Sequence, residues 1–518
     1  MNLTIGITKE LPEWSMLAGQ IGIPLVSIGQ TQHIDLKDYP LIIVTERGGI
    51  QLKTALLQYL KSGGSLLLED DTGKWLFGIK TTPAYIQYID DESNSTFKNI
   101  IPGFIRKSLV LPENADFLSS NSGKKLIQIE KVENGVAIIL PGNLIKAVLD
   151  TKVQRMNFSA PGGSLFPSER VARTSKNTIL SIVRSCLEEL FFSRNLPFIN
   201  LWQFPKGEKT IFNFRIDTDF ASKGDIESLY KLCESYDIPA SWFVETNSPQ
   251  DWLDVFKSMN HQEIGLHCFT HKVCGNFVDN EQNIKLGIDL LNDVGISPKG
   301  FAAPFGMWNI SLMKAIEHHN FVYSSEFTLD YDNLPFFPYL NDRFSPVLQI
   351  PVHPVSIGRL RNAHLTEEKM TDYFLNHYEL CSHFNLPFFI YHHPSDGMLP
   401  VLESVFKFVQ EKKCLMMSLN EYASWWKLRK ELISSASLNE NKIMLKLNYP
   451  DSSLYLSVKR NSNEYKIIPV NEIIDLNNLQ WKSISTGELI QVPMWRLNRF
   501  HWKNCVNDLE YFWLRLIN

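Results

Sequence analysis

The chain has 518 residues, 44% of them hydrophobic and 21% charged, which is ordinary for a globular protein and too long for a single hydrophobic core. A formal net charge of -5 with no long Lys/Arg run gives no general attraction to phosphate backbones, so nucleic-acid binding is not expected. No apolar run is long enough for a membrane span, no basic-then-apolar leader opens the chain, and seven cysteines are scattered without paired spacing. These features lead to the expectation of a cytoplasmic, reducing location.

In chain order, residues 1–195 show short apolar runs at 3–8, 23–28, 40–45 and 65–69, alternating with helical stretches such as 51–62. Gly63-Gly64 stands where a helix must end before the next strand, a place suited to a left-handed cap. The alternation predicts βα units around a mostly parallel sheet. The pattern Leu41-Ile42-Ile43-Val44, helix, Gly63-Gly64-Ser65-Leu66-Leu67-Leu68 resembles the flavodoxin-type fold of glutamine amidotransferases over about the first 145 residues. An amidotransferase needs a nucleophilic cysteine, and none precedes Cys186. The resemblance therefore implies an α/β domain with a non-catalytic role, such as holding a partner protein.

Residues 209–430 follow a connector that ends in Pro205-Lys206-Gly207 and again alternate strand-like runs (239–244, 348–352, 387–391) with helical patterns such as 281–294. A second α/β region with parallel strands is expected. Ile211-Phe212-Asn213-Phe214 reads as a buried strand and ends in Arg215-Ile216-Asp217-Thr218-Asp219. Glu263-Ile264-Gly265 reads as another and leads into Leu266-His267-Cys268-Phe269-Thr270-His271. Two neutral imidazoles and one carboxylate can hold a divalent metal with positions left for water and substrate. A second carboxylate nearby can take a proton from that water. Alternation along a strand turns 215, 217 and 219 to one side. His267 and His271, four apart, share one face about 5–6 Å apart at Cβ if the chain makes a helical turn there. Either motif alone is commonplace, because Asp-x-Asp after a strand serves turns and His-x-x-x-His is more often two unrelated side chains.

Residues 434–518 change character. Runs at 442–447, 453–458 and 465–470 are separated by Asn/Asp/Ser/Pro turns without helical periodicity, which predicts a small all-β domain. Trp481, Trp495, Trp502 and Trp513 are either core residues, the commoner role of Trp, or a platform for sugar rings.

With these landmarks in place, residues 209–430 resemble the polysaccharide deacetylase family, the NodB-homology domain of carbohydrate esterase family 4. The resemblance is carried in order by Ile216-Asp217-Thr218-Asp219, Ile238-Pro239-Ala240-Ser241-Trp242-Phe243-Val244, Gly265-Leu266-His267-Cys268-Phe269-Thr270-His271, Gly300-Phe301-Ala302-Ala303-Pro304-Phe305-Gly306 and Phe389-Ile390-Tyr391-His392-His393-Pro394. It implies a distorted (β/α) barrel and a hydrolase that removes an N-acyl group, acetyl foremost, from an amino sugar in a glycan or its precursor. It implies one divalent ion, zinc foremost, with cobalt, nickel or manganese as alternatives for an N₂O site. Asp219, His267 and His271 would hold that ion. Asp217 would be the base that takes a proton from the attacking water, and His393 the acid that protonates the departing nitrogen. Tyr391 and His393 share a strand face while His392 points the other way, which assigns His392 to packing. His353, after Ile350-Pro351-Val352, stands near a strand end where it can line the cleft. Cys268 reads as a packed thiol rather than a fourth ligand.

The chain departs from the family pattern in two places. The third motif ordinarily carries an Arg that pairs with the base, and Ala302 stands there; Arg215, two residues before Asp217 on the same strand face, is the nearest replacement. The carboxylate that tunes the acid histidine has no clear counterpart, with Glu326 as the candidate. Two rivals stay open: hydrolysis of another C–N bond, as by a deformylase or cyclic amide hydrolase, and a glycan-binding or scaffold protein that kept the metal site without turnover.

Overall fold

The computed structural model describes residues 1–29, 33–90, 97, 99–161, 166–449, 453–483, 494–498, 502, 506 and 509. By contact density the chain divides into two units. One comprises Met1–Asp150, Thr174–Gly207 and Trp426–Leu489; the other comprises Thr151–Arg173, Glu208–Trp425 and Ile490–Asn518. No helix among the described residues is long and apolar enough to cross a membrane.

In the first unit, Ile5–Ile7, Leu25–Ser27, Ile42–Val44 and Ser65–Glu69 pair in parallel, and Gly135–Leu140 adds a fifth parallel strand beside Ser65–Glu69. The helix Ile50–Lys61 packs Leu52, Leu56 and Tyr59 onto this sheet and stops at Gly63, whose φ of 104° a side chain would resist. The rest of the nine-stranded sheet is antiparallel, built from Thr81–Asp90, Gly103–Pro112, Phe117–Ser120 and Lys125–Val132. The expectation of a mostly parallel sheet therefore applies to one half only. Most turns between strands in residues 81–140 are too short for the crossover that parallel pairing requires.

Three segments were expected, and the contacts define two units. The C-terminal strands Ile433–Asn439, Lys442–Leu447 and Ile473–Asp475 form one antiparallel sheet, and Tyr455–Asn461, Glu464–Pro469 and Lys482–Ser483 form part of another. Both group with the first unit because the chain stitches them there. Phe198–Leu201 pairs with Tyr455–Asn461, and the amide of Leu3 donates to Ala436 O. Of the C-terminal tryptophans, Trp481 lies beneath the Arg460 guanidinium, Trp495 and Trp502 are exposed, and Trp513 lies outside the described residues.

The second unit holds eight parallel strands: β1 (Ile211–Asp217), β2 (Ser241–Glu245), β3 (Glu263–Cys268), β4 (Gly300–Phe301), β5 (Tyr323–Ser324), β6 (Leu348–Gln349), β7 (Phe388–His392) and β8 (Leu415–Met416). They run in the order β6-β5-β4-β3-β2-β1-β7, with β8 beside the start of β1. No ladder joins β6 to β7; the amide of His353, just past β6, reaches Phe389 O at 2.9 Å. The sheet is thus an incompletely closed barrel.

All seven residues of β1 are buried, as expected of a strand covered on both sides. Its two faces differ. Phe212 and Phe214 point outward and meet Phe406 of the helix Leu399–Glu411 at ring distances of 6.3 and 5.1 Å. Asn213, Arg215 and Asp217 alternate onto the inner face. Three polar side chains in a buried strand are costly unless each finds a partner, so this face announces a site.

Candidate metal and catalytic site

Asp219 lies two residues past β1, His267 on β3 and His271 three residues past its end. The helical turn expected between the histidines is absent. β3 stays extended through Cys268 because β2 and β4 pair with it on both edges, and the chain then bends. Asp219 likewise sits in a turn rather than on the strand, so only 215 and 217 share a strand face. The three side chains still converge. His267 Nε2 is 2.9 Å from Asp219 Oδ1, His271 Nε2 is 3.1 Å from Asp219 Oδ2, and the imidazole centroids are 5.1 Å apart.

These approaches lack hydrogen-bond alignment: Asp219 Oδ1 and both Nε2 atoms are buried without a hydrogen-bond partner. Buried polar atoms in that state cost free energy. Separations of 2.9–3.1 Å match neighbouring ligands around one ion with bonds of about 2.1 Å. The donor set therefore fits a divalent metal ion. Burial alone would raise the Asp219 carboxyl, but the two imidazoles hold it well below the ordinary carboxylate range. Cys268 is buried and its thiol is pushed up by burial, which keeps it protonated and inert.

Two proton-handling pairs adjoin this group. Arg215, fully buried, grips Asp217 bidentately, Nε to Oδ1 and Nη2 to Oδ2 at 2.7 Å each. Its third nitrogen donates to the carbonyl and, at 3.2 Å, to the hydroxyl of Ser325, and the guanidinium lies over the rings of Phe243 and Tyr391. Arg215 thus supplies Asp217 with a cationic partner from the same strand. His393 Nε2 faces Asp219 Oδ2 at 3.6 Å while its Nδ1 meets Asp396 Oδ2 at 3.3 Å. Burial would lower the His393 imidazole, but Asp396 and then Asp219 push it up to about 9. His392 points outward and stacks on Phe214, and burial drives it down to about 3.

Two expectations are corrected. His353 does not join this group: it is buried with Asp332, His377 and Tyr373 elsewhere in the unit, its ring turned toward the helix Glu367–Phe384. Glu326 does not tune the acid histidine. It lies fully buried within the field of Arg215, and burial pushes it up to about 7. The carboxylate at His393 is Asp396, and a His-Pro-x-Asp turn was its one visible signal in the sequence.

Asn283 was also missed. From the helix Phe277–Asp293 it accepts from the Thr270 amide at 2.7 Å and donates to the Thr270 carbonyl at 2.9 Å, clamping the loop that carries His271. Phe305, at φ 60° inside the Pro304–Gly306 turn, presents its ring at 74° to His271, 4.6 Å between centroids. Phe220 also meets that imidazole edge to face, 5.3 Å between centroids, and is 66% exposed.

No family model matches the chain, and no curated protein matches it. Solved structures similar to it include a protein from Mycobacterium smegmatis named provisionally as a polysaccharide deacetylase (15% identity, 48% of this chain and 96% of that one, TM-score 0.38). They also include an allantoinase (13% identity, 44% and 93%, TM-score 0.37) and a family 4 carbohydrate esterase pseudoenzyme from Bacillus anthracis (12% identity, 42% and 66%, TM-score 0.32). Polysaccharide deacetylases and family 4 carbohydrate esterases are thus among the structures found similar to part of this chain.

Proposed function

We propose that the second unit is a metal-dependent hydrolase that removes an N-acyl group, acetyl foremost, from an amino sugar of a glycan or glycan precursor. The observation that carries this reading is the convergence of three groups on one spot: a metal-ligand triad, a carboxylate gripped bidentately by an arginine, and an imidazole backed by a carboxylate. Asp219, His267 and His271 would hold the ion, zinc foremost. A divalent ion held there supplies Lewis-acid polarisation of an acyl oxygen.

The chain's own residues would divide the proton work. Asp217 accepts the proton of the attacking water, and the bidentate grip of the Arg215 guanidinium keeps it aimed. His393 donates from Nε2 to the departing nitrogen, with Asp396 on Nδ1 fixing the ring. Neither pair alone cleaves an amide at neutral pH, because the amine is a poor leaving group until protonated. Exposed Phe220 beside His271 offers an apolar face against which a sugar ring or acyl methyl can pack.

The test is acetate release from a panel of N-acetylated amino-sugar glycans by zinc-loaded protein. Release that vanishes in Asp217→Asn supports the reading. No release from any sugar, with ring opening of a cyclic amide or formate release instead, moves the activity to another C–N bond. Glycan binding without any product would leave a binding protein.

A further inference from the structure

A second group of ligand-type side chains lies in the same unit. Asp332 follows β5, His353 follows β6, and His377 projects from the helix Glu367–Phe384. Their candidate donor atoms all lie within 4.8 Å of one another. His353 Nδ1 is 2.9 and 3.0 Å from the two Asp332 oxygens, and His377 Nε2 is 3.5 Å from Asp332 Oδ1. The two imidazoles are in contact, 3.9 Å between centroids. His377 also touches Phe388, whereas His393 touches Tyr391. Residues 388 and 391 point to opposite faces of β7, so the two clusters are separate sites.

We propose that Asp332, His353 and His377 form a second metal site, independent of the first, that takes a divalent transition ion such as zinc. Bonds of roughly 2.1 Å place neighbouring ligands about 3.0 Å apart at a right angle and about 3.4 Å apart in a tetrahedron. The separations of 2.9 and 3.0 Å from His353 Nδ1 to the two Asp332 oxygens, and of 3.5 Å from His377 Nε2 to Asp332 Oδ1, bracket that interval. One proton on His353 Nδ1 bonds Asp332, but His377 Nε2 remains at 3.5 Å from the carboxylate, with the Cys381 thiol at 3.6 Å as its remaining contact. A cation satisfies both imidazoles and the carboxylate at once. Tyr373 Oη, 2.7 Å from His353 Nε2, can accept a hydrogen bond from that N–H and leave the Nδ1 lone pair facing Asp332, the outer-sphere contact that metal-bound histidines commonly make. His353 and His377 are buried while the Asp332 side chain is 18% exposed, which gives an ion a way in.

The ion would tie two barrel loops to a covering helix, a structural task with no claim on the chemistry at His267. The test uses the full chain, stripped with chelator and titrated with zinc alone, with bound metal counted by elemental analysis. Wild type should bind two zinc per chain, His267→Ala one, Asp332→Asn one and the double variant none. His377→Gln serves as a second probe should Asp332→Asn fold poorly. With cobalt, the ion retained by His267→Ala should show the visible absorption of a low-coordinate site. A wild-type count of one that His267→Ala reduces to zero overturns the proposal, as does a count of two that neither Asp332→Asn nor His377→Gln lowers. Loss of the first ion in His267→Ala is read separately, so failure of the proposed hydrolase and failure of this site are distinguishable.

Discussion

Two clusters of one Asp and two His occupy opposite faces of β7, and their ligand letters are identical. Their surroundings are not. Around Asp219 the Nε2 atoms of His267 and His271 are buried without hydrogen bonds, the Arg215–Asp217 pair and the His393 imidazole stand alongside, and an exposed ring marks a way to solvent. Around Asp332 one imidazole is anchored at both nitrogens, and Phe158 and Phe388 wall the histidines. The proton-bearing groups beside it, the Tyr373 hydroxyl and the Cys381 thiol, are buried and engaged with the histidines themselves. The difference teaches that ligands alone define a place for an ion, whereas reactivity comes from the proton-handling pairs next to it.

The comparison breaks if the wrong cluster matters for turnover. Zinc-loaded His267→Ala should lose at least roughly 10³-fold in acyl-release rate, since a Lewis acid contributes several kcal/mol. Asp217→Asn and His393→Ala should each lose about 10²–10⁴-fold while keeping the first-site ion, and His392→Ala should cost far less rate. A dead His392→Ala beside a healthy His393→Ala would reverse the two histidines.

Arg215→Met sharpens the comparison at the base. Both oxygens of Asp217 are held by this side chain, so the variant should lose acyl-release rate with metal content unchanged. Breaking this buried pair should also cost about 3–5 kcal/mol in urea unfolding. An unchanged rate in a folded variant would remove Arg215 from the chemistry.

Glu326 gives a contrast on the same guanidinium. Burial raises its carboxyl from 4.5 to about 7. The folded chain then holds a proton that the unfolded chain releases near 4.5, so stability is full below that pH and declines as pH rises through about 7. Glu326→Gln should remove the decline, gaining on the order of 3 kcal/mol over wild type at pH 8 and little at pH 4. Equal gains at both values would show that the carboxyl titrates normally. The smallest effect is expected from Asp332→Asn, whose rate should stay within about threefold of wild type despite a lost ion. A collapse of its rate would put the second cluster in the reaction.

Much of the barrel was legible because β1 and β7 alternate cleanly. The period of two separates Arg215 and Asp217 from Phe214, and Tyr391 and His393 from His392, without reference to the rest of the chain. The convergence of Asp219 with the histidines was legible from motif order, but the local geometry was not. A four-residue spacing is consistent with a helix, and only the pairing of β3 with both neighbours forces it to be extended. Asn283 and the Asp332 cluster were invisible for a related reason. Their partners lie 13, 21 and 45 residues away along the chain and meet only through the fold. The antiparallel half of the first unit was missed because its strands alternate as regularly as parallel ones, and the deciding feature was turn length.

Arg215 and Asp217 share one strand, two residues apart, and their mutual grip needs no loop to bring them together. The pairing is therefore portable: it travels with β1 as a cassette, whatever the connecting segments do. Position 302 takes no part in it, since Ala302 is fully buried and has no polar side chain to offer.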